Sequence, residues 1–232
     1  MFSVIFEVKP HKERFNEYLG LGKQLKPILE GVDGFIDNER FESRRHPGLL
    51  LSHSTWRDEK SVVRWRTTGE HHLVQEQGRN KILQDYHLRV GEVTADSDPP
   101  GSMAVHEQRF DKTETGAAKC VTFTEIVPQR GDEFISIDNW LATLRMDPSG
   151  DGVVDHDLFA SIYHPGKLAL LVSWKDAKAA QQWTPVKADR VQALRHRHIR
   201  IVRDYGMFDR REAPQFYPDA KGAETIHAGH VR

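Results

Sequence analysis

An internal repeat with an offset of 118 residues constrains the fold of this chain more than any other feature of its sequence. The tripeptide His46-Pro47-Gly48 recurs as His164-Pro165-Gly166. The same offset relates further identical residues: Asp33-Gly34 and Asp151-Gly152, Asp37 and Asp155, Phe41 and Phe159, Ser43 and Ser161, Trp56 and Trp174, and Trp65 and Trp183. Tryptophan is a rare residue, so two tryptophan pairs with equal spacing indicate a duplication. The repeat predicts two copies of one supersecondary unit.

Apolar periodicity predicts the same six elements in each copy. Period-two alternation over 2–8 predicts a strand, and helical spacing over 13–30 predicts a helix. The first copy continues with predicted strands at 34–43 and 49–56, a helix at 58–83 with a break near Gly69, and a strand at 86–93. The second copy has predicted strands at 119–127, 152–161, 167–174 and 197–205, and helices at 131–145 and 176–195. The order β-α-β-β-α-β is the ferredoxin-like arrangement, so the predicted fold class is α+β.

The length of 232 residues suits two domains of this kind. We predict domains at 1–93 and 119–211, a linker at 94–118 without a long helix, and an extended or disordered tail at 212–232. In a ferredoxin-like module the helices cover one face of the sheet. We assign Ile5, Ile36 and Leu50 to the other face, which must find a partner. We therefore expect the two sheets to pack face to face as an intramolecular pseudo-dimer, and a further homodimer stays open.

Composition excludes several classes of function. The chain has 33 basic and 34 acidic residues, a balance that gives no positive field for nucleic acid or for anionic lipid. Its one cysteine, Cys120, cannot form an internal disulfide, and no histidine–carboxylate cluster has the spacing of a metal site. No apolar run reaches the length of a membrane span. We expect a cytoplasmic protein without a structural or catalytic metal and without a cofactor.

Several motifs in the right order resemble the antibiotic biosynthesis monooxygenase family. They are Gly34-Phe35-Ile36, Pro47-Gly48-Leu49-Leu50-Leu51-Ser52, Trp56-Arg57-Asp58-Glu59, Gly78-Arg79 and Asp85-Tyr86-His87-Leu88-Arg89-Val90. The resemblance implies a dimeric α+β barrel with a pocket between sheet and helices in each module. Some members of the family oxygenate polycyclic phenols without metal or flavin, others bind and degrade heme, and many have no known reaction.

The resemblance and the residue chemistry together single out candidate site residues. The candidate catalytic residues are His71 as a base, Trp65 as a pocket wall, and Tyr86 and Arg89 as donors to a substrate anion. The candidate pocket residues are Ser52, His53, Trp56, His72 and Gln75. Five of them have a structural alternative: Trp56 and Trp65 as scaffold, His71 or His72 as a surface histidine, and His53 as part of a solvent-facing strand.

The chain departs from both active patterns of the family. Ser52 stands where the phenol-oxidising members have an asparagine. Phe6 and Gln75 stand where the heme-degrading members have an asparagine and the heme-ligating histidine, so we expect weak or unordered hemin binding. The second copy is also shorter after Trp183 than the first copy is after Trp65, by about two helical turns, and it lacks the His71 region. Any site is therefore expected in the first copy.

Three functions follow from these observations. The first is a cofactor-independent monooxygenase that acts on a small aromatic or polyketide-like phenol. The second is a non-catalytic module that binds a small ligand or responds to stress, and the third is heme binding or degradation. The only partner expected under the first hypothesis is the small aromatic ligand itself.

Overall fold

The computed structural model describes residues 1–110 and 115–209 of the chain. Its strands are β1 (Phe2–Pro10), β2 (Phe35–Ser43), β3 (Leu50–Trp56), β4 (Leu83–Asp96), β5 (Cys120–Pro128), β6 (Val153–Ser161), β7 (Leu168–Trp174) and β8 (Val191–Gly206). Its α-helices are α1 (Phe15–Glu30), α2 (Glu59–Arg66), α3 (Gly69–Gln77), α4 (Ile137–Thr143) and α5 (Ala177–Gln181). The predicted tail at 212–232 lies outside the described residues. The α+β class is as predicted.

The eight strands form one closed barrel in the order β1-β3-β2-β6-β7-β5-β8-β4. All neighbouring strands are antiparallel, and both halves follow the same internal order of second, third, first and fourth strand. The halves join at two seams, where β2 pairs with β6 and β4 pairs with β8. Closure leaves no unpaired sheet edge in this arrangement.

Contacts across the β2–β6 seam recur with the two halves exchanged. The Arg44 amide donates to the Leu158 carbonyl at 2.8 Å, and the Ile162 amide donates to the Arg40 carbonyl at the same distance. The Ser43 hydroxyl donates to Asp157 at 2.6 Å, and the Ser161 hydroxyl donates to Glu39 at 2.5 Å. Each contact maps onto the other by the offset of the sequence repeat. The repeated residues therefore occupy equivalent places in the barrel.

Alternate residues of each strand face the barrel interior or the helices. Ile5, Phe41, Phe123 and Phe159 belong to the apolar cluster inside the barrel. The assignment of Leu50 to this face is wrong, because Leu50 packs with Val8 and Tyr86 under the helices, while its neighbours Leu49 and Leu51 point inward. The prediction shifted the alternation along this strand by one residue, and a shift of one residue places a side chain on the opposite face of the sheet.

Several predicted helices are shorter in the structure. The predicted helix at 58–83 is divided into α2, α3 and a π-helical turn at Gly78–Ile82. The predicted helix at 131–145 is reduced to α4, preceded by a short 3₁₀ turn at Asp132–Phe134. The predicted helix at 176–195 is reduced to the five residues of α5. Pro185 follows closely and disfavours helical backbone, so the chain runs extended into β8.

The closing strands are longer than predicted. β4 and β8 pair along the second seam, from His87 opposite Gly206 to Asp96 opposite Arg197. The predicted linker at 94–118 thus begins inside β4, and after Asp96 its described part contains only a 3₁₀ turn at Pro100–Ser102. No helix of the described residues is long and apolar enough to cross a membrane.

Candidate active-site cavity

A cavity of about 470 Å³ lies between the outer face of the first-half strands and the three helices that cover them. Strand residues such as Phe6, Ser52 and Leu88 line one side of it. Leu25 of α1 and Val62 of α2 are among the residues that line the other side. A concave, mainly apolar space with a few polar groups is the usual form of a small-molecule site.

Trp65 and His71 form one wall of the cavity. Asp58 caps α2 by accepting the Ser61 amide at 2.8 Å, and Trp65 lies in the last turn of that helix. The break between α2 and α3 turns His71 back onto Trp65, so that their rings stack with centroids 4.0 Å apart and planes 13° apart. The stack fixes the plane of the imidazole.

The protonation of His71 follows from its surroundings. Its Nδ1 lies 3.1 Å from the Trp65 carbonyl oxygen, which can only accept, so Nδ1 carries the proton. Burial is the main cause that lowers the pKa of His71 to about 4, and the neighbouring His72 adds to it. The ring is therefore neutral at physiological pH, and Nε2 keeps its lone pair. No hydrogen bond to this atom is found within the described residues.

Tyr86 lines the cavity from β4. Its hydroxyl accepts a hydrogen bond from Arg79 Nη1 at 3.1 Å, and its ring lies 5.5 Å from the ring of Phe6. Arg79 belongs to the π-helical turn that joins α3 to β4. That turn therefore brings a cation to the end of the tyrosine side chain.

Two polar side chains of β2 line the cavity and were missed from the sequence: Asn38 and Arg40. Asn38 donates from its amide to the Ser52 hydroxyl at 3.0 Å and to the His53 carbonyl at 2.9 Å. An asparagine amide thus lies beside Ser52, the position where phenol-oxidising relatives are expected to carry an asparagine. The period-two spacing of Asn38 and Arg40 on a strand was the pattern that could have indicated them.

Comparisons with known proteins agree with the resemblance predicted from the motifs. Residues 1–77 match the model of the antibiotic biosynthesis monooxygenase family. A protein of Pyricularia oryzae named Jasmonate monooxygenase ABM is 43% identical over 225 residues, which cover 95% of this chain and 100% of that protein. The chain belongs to the antibiotic biosynthesis monooxygenase family. The family assignment made from the sequence is confirmed.

One solved structure extends the likeness of fold beyond the residues of the family model. A crystal structure of aldoxime dehydratase aligns with 87% of this chain and 81% of its own, at 11% identity and a TM-score of 0.54. A crystal structure described as antibiotic biosynthesis monooxygenase covers 39% of this chain and 95% of its own, at 17% identity and a TM-score of 0.36. The family model itself covers residues 1–77, which contain Asn38, Trp65 and His71.

Six of the predicted site residues of this family member meet at the cavity. They are Ser52, Trp65, His71, His72, Gln75 and Tyr86. Helix α3 carries both His71 and Gln75, which lie four residues apart and so on the same side of the helix. The structure thus places residues from two strands and two helices around one space.

The prediction that Arg89 lines the pocket is wrong. Its side chain points into the barrel, where Nη2 donates to Glu7 at 2.5 Å and Nη1 donates to the Ser173 hydroxyl at 2.7 Å. The prediction for His53 is wrong in the same way, because its ring stacks on Phe123 inside the barrel at 4.2 Å. Each residue lies one strand position away from residues that do line the cavity, and alternation sends it to the opposite face.

The pocket prediction for Trp56 is also wrong. Trp56 is fully buried, donates from Nε1 to the Ser54 hydroxyl at 2.9 Å, and packs edge-on against Phe35 at 5.4 Å. It lies among apolar side chains between sheet and helices and does not contact the cavity. The alternative interpretation as scaffold describes this residue.

The second half uses the equivalent tryptophan for packing. Trp183 lies in an apolar cluster with Trp140 and Trp174, and its Nε1 donates to the Leu144 carbonyl at 3.1 Å. The ring of His196 lies edge-on against Trp183 at 5.1 Å. Because α5 is so short, side chains such as Trp183 pack directly on the sheet in the second half. In the first half, α2 and α3 cover the sheet and leave the cavity between themselves and the strands.

The described residues contain no group of three or more histidine, cysteine, aspartate or glutamate side chains that could hold a metal ion.

Proposed function

We propose that this protein is a monooxygenase that acts on a small, largely apolar organic substrate bound in the first-half cavity. The observation that carries the proposal is the cavity of about 470 Å³ walled by the Trp65–His71 stack, within the part of the chain that matches the family model. The similar fungal protein is named for jasmonate, so jasmonate is the first compound to test. A small polycyclic phenol is the second.

We also propose that the two halves are tandem ferredoxin-like modules, with one chain forming the barrel that two single-module chains would otherwise form. The exchanged contacts across the β2–β6 seam and the common strand order of the halves support this arrangement. It separates two tasks, since the second half completes the barrel while the first half supplies most of the cavity lining, to which the second half adds Tyr163, Arg203 and Tyr205.

In the proposed reaction one oxygen atom of O₂ enters the substrate and the other leaves as water. Reduction of the second oxygen atom to water takes two electrons and two protons, which come either from the substrate or from an external reductant and solvent. Neutral His71 would accept a proton from an acidic O–H or C–H group of the substrate at Nε2, because Nδ1–H is held by the Trp65 carbonyl. The apolar walls exclude water from the ionised substrate.

His71→Ala is expected to lower kcat/KM by about 10²- to 10⁴-fold, the usual contribution of a positioned base. The Tm should change little, because a partly exposed side chain contributes little to the core. The assay uses purified full-length protein, jasmonate and isotopically heavy O₂, with and without added reductant, and detects labelled product by mass spectrometry.

His198→Ala in β8 is the matched histidine control for this assay and is expected to keep full activity. Equal losses in both variants would show that the second half contributes to the reaction. Saturable binding of jasmonate or of the phenol without incorporation of labelled oxygen would instead favour the non-catalytic ligand-binding module.

The pH dependence of kcat/KM should lack a step near 6.5. Because burial lowers the pKa of His71 to about 4, the neutral ring persists well below the range in which an ordinary histidine gains its proton. Activity lost through protonation of His71 should appear only as the pH approaches about 4. A step near pH 6.5 that disappears in His71→Ala would contradict this environment for the ring.

A further inference from the structure

Arg40 has two buried guanidinium nitrogens that lack hydrogen-bond partners. It lines the cavity from β2, and both its Nε and its Nη1 are buried without a hydrogen-bond partner among the described residues. The guanidinium carbon lies 5.4 Å from the centre of the Tyr18 ring. A cation–π contact of this kind offsets only part of the loss of solvation. Buried polar groups normally have partners, so these two donors favour a bound ligand that supplies an acceptor.

Helix α1 is adapted to admit this side chain. Gly22 is a buried residue of α1, and a Cβ atom at its position would lie only 1.5 Å from Arg40 Nη1. Glycine inside a helix is unfavourable relative to alanine. At Gly20, two residues earlier, a Cβ atom would meet nothing within 4 Å. The close approach at Gly22 therefore has a specific cause, which is the room needed by the guanidinium.

The other charged groups around the cavity leave Arg40 without an anionic partner. The described residues that line the cavity include the basic side chains Lys26, Arg40, Arg66, Arg79 and Arg203, and one acidic side chain, Glu59. Glu59 already accepts from Arg203 at 3.2 Å and from Arg109 at 3.1 Å. The balance of charge around an otherwise apolar space favours a negatively charged ligand.

We propose that Arg40 binds the carboxylate of the substrate, so that the substrate class is amphipathic organic acids with an apolar body. Arginine is well suited to carboxylates because its planar guanidinium presents several donors at once. The carboxylate would lie at the β2 and α1 side of the cavity, against Arg40 and Tyr18, and the apolar body would extend along the other walls. This proposal deepens the proposed function and rests on the same cavity.

The test compares binding of naphthaleneacetate with binding of its neutral amide, naphthaleneacetamide, by calorimetry on the full chain. Wild-type protein should bind the acid more tightly than the amide. Arg40→Met should weaken binding of the acid by about 10- to 100-fold, the range of a charge-assisted hydrogen bond, and should change binding of the amide less than about twofold. Arg45→Met is the control, because Arg45 lies in the β2–β3 turn and pairs with Asp155 at the surface.

A second variant tests the position of the guanidinium without removing its charge. Gly22→Ala should displace the guanidinium of Arg40 and weaken binding of the acid by about tenfold or more. Helix α1 can still form, because the new methyl group meets only the flexible end of the Arg40 side chain. Gly20→Ala should leave the affinity for both ligands unchanged.

Three outcomes would overturn the proposal: equal affinity of wild-type protein for acid and amide, equal weakening of both by Arg40→Met, or no binding of either. Binding is measured without turnover, so selective binding of the acid by a protein that fails to incorporate oxygen would reject the proposed monooxygenase and keep the anion site.

Discussion

Arg89→Met is expected to lower the free energy of unfolding by about 3–5 kcal/mol, the cost of leaving one buried charge of an ion pair uncompensated. Arg89 is 2% exposed and Glu7 is 8% exposed, and the two are joined inside the barrel at 2.5 Å. The same arginine bonds Ser173 in the other half. Methionine would keep most of the volume of the side chain and remove the nearer cation of the buried Glu7 carboxylate, leaving His87 Nδ1 at 3.5 Å as its neighbour.

Urea unfolding of the full chain measures this effect. Arg57→Met is the control, because Arg57 pairs with Asp33 at the surface, where solvent screens an ion pair and its contribution to stability is small. Glu7→Gln combined with Arg89→Met should recover part of the loss, since it removes the stranded charge. If Arg89→Met kept its stability and lost turnover, Arg89 would have to act at the substrate site, as the sequence had suggested.

Asp157→Asn is expected to stabilise the protein at pH 8 by up to about 4 kcal/mol. Burial is the main cause that raises the pKa of Asp157 from 3.8 to about 7, and Glu7 adds to it while Ser43 and Arg45 oppose it. Between about pH 4 and pH 7 the folded state therefore holds a proton that the unfolded state has lost. Stability falls as the pH rises through this window, and asparagine, which mimics the neutral acid, removes the fall.

Thermal or urea unfolding at several pH values should show the advantage of Asp157→Asn growing from near zero at pH 4 to its full value above pH 7. Glu39→Gln is the matched control, because Glu39 is the repeat counterpart of Asp157 and accepts from Lys167 and Ser161. These donors lower the pKa of Glu39 although burial opposes them. The stability that ionised Glu39 contributes to the folded state is therefore present at neutral pH and is lost in acid. Glu39→Gln should therefore destabilise the protein at neutral pH. Equal signs for the two variants would contradict the assignment.

The opposite behaviour of these two carboxylates has one origin in the sequence. Lys167 lies 118 residues after Leu49, so the cation that pairs with Glu39 has no counterpart beside Asp157. The pairing itself joins strands from different halves of the chain. A pattern read along a single strand cannot reveal it.

The site was predictable to the extent that it depends on local helix geometry. Trp65, His71 and Gln75 were assigned to the helical region after the third strand, and the structure places all three on the cavity. Arg89 and His53 were assigned wrongly because the strand phase relative to the helices was not known. Arg40 was missed because its importance comes from Gly22 in a different element.

The sequence by itself determined the internal repeat of residues, the order of the elements and the family, because these depend on the identity and spacing of residues along the chain. Only the tertiary structure decided which strand face meets the cavity, which charges pair inside the barrel, and where the second half fills its own space with Trp183. Those outcomes depend on the phase of each strand and on contacts between residues about 80 to 130 positions apart, such as Glu7 with Arg89 and Glu39 with Lys167. The free energy of burying a charge or opening a cavity is set by all the groups around it, and folding brings those groups together from both halves of the chain.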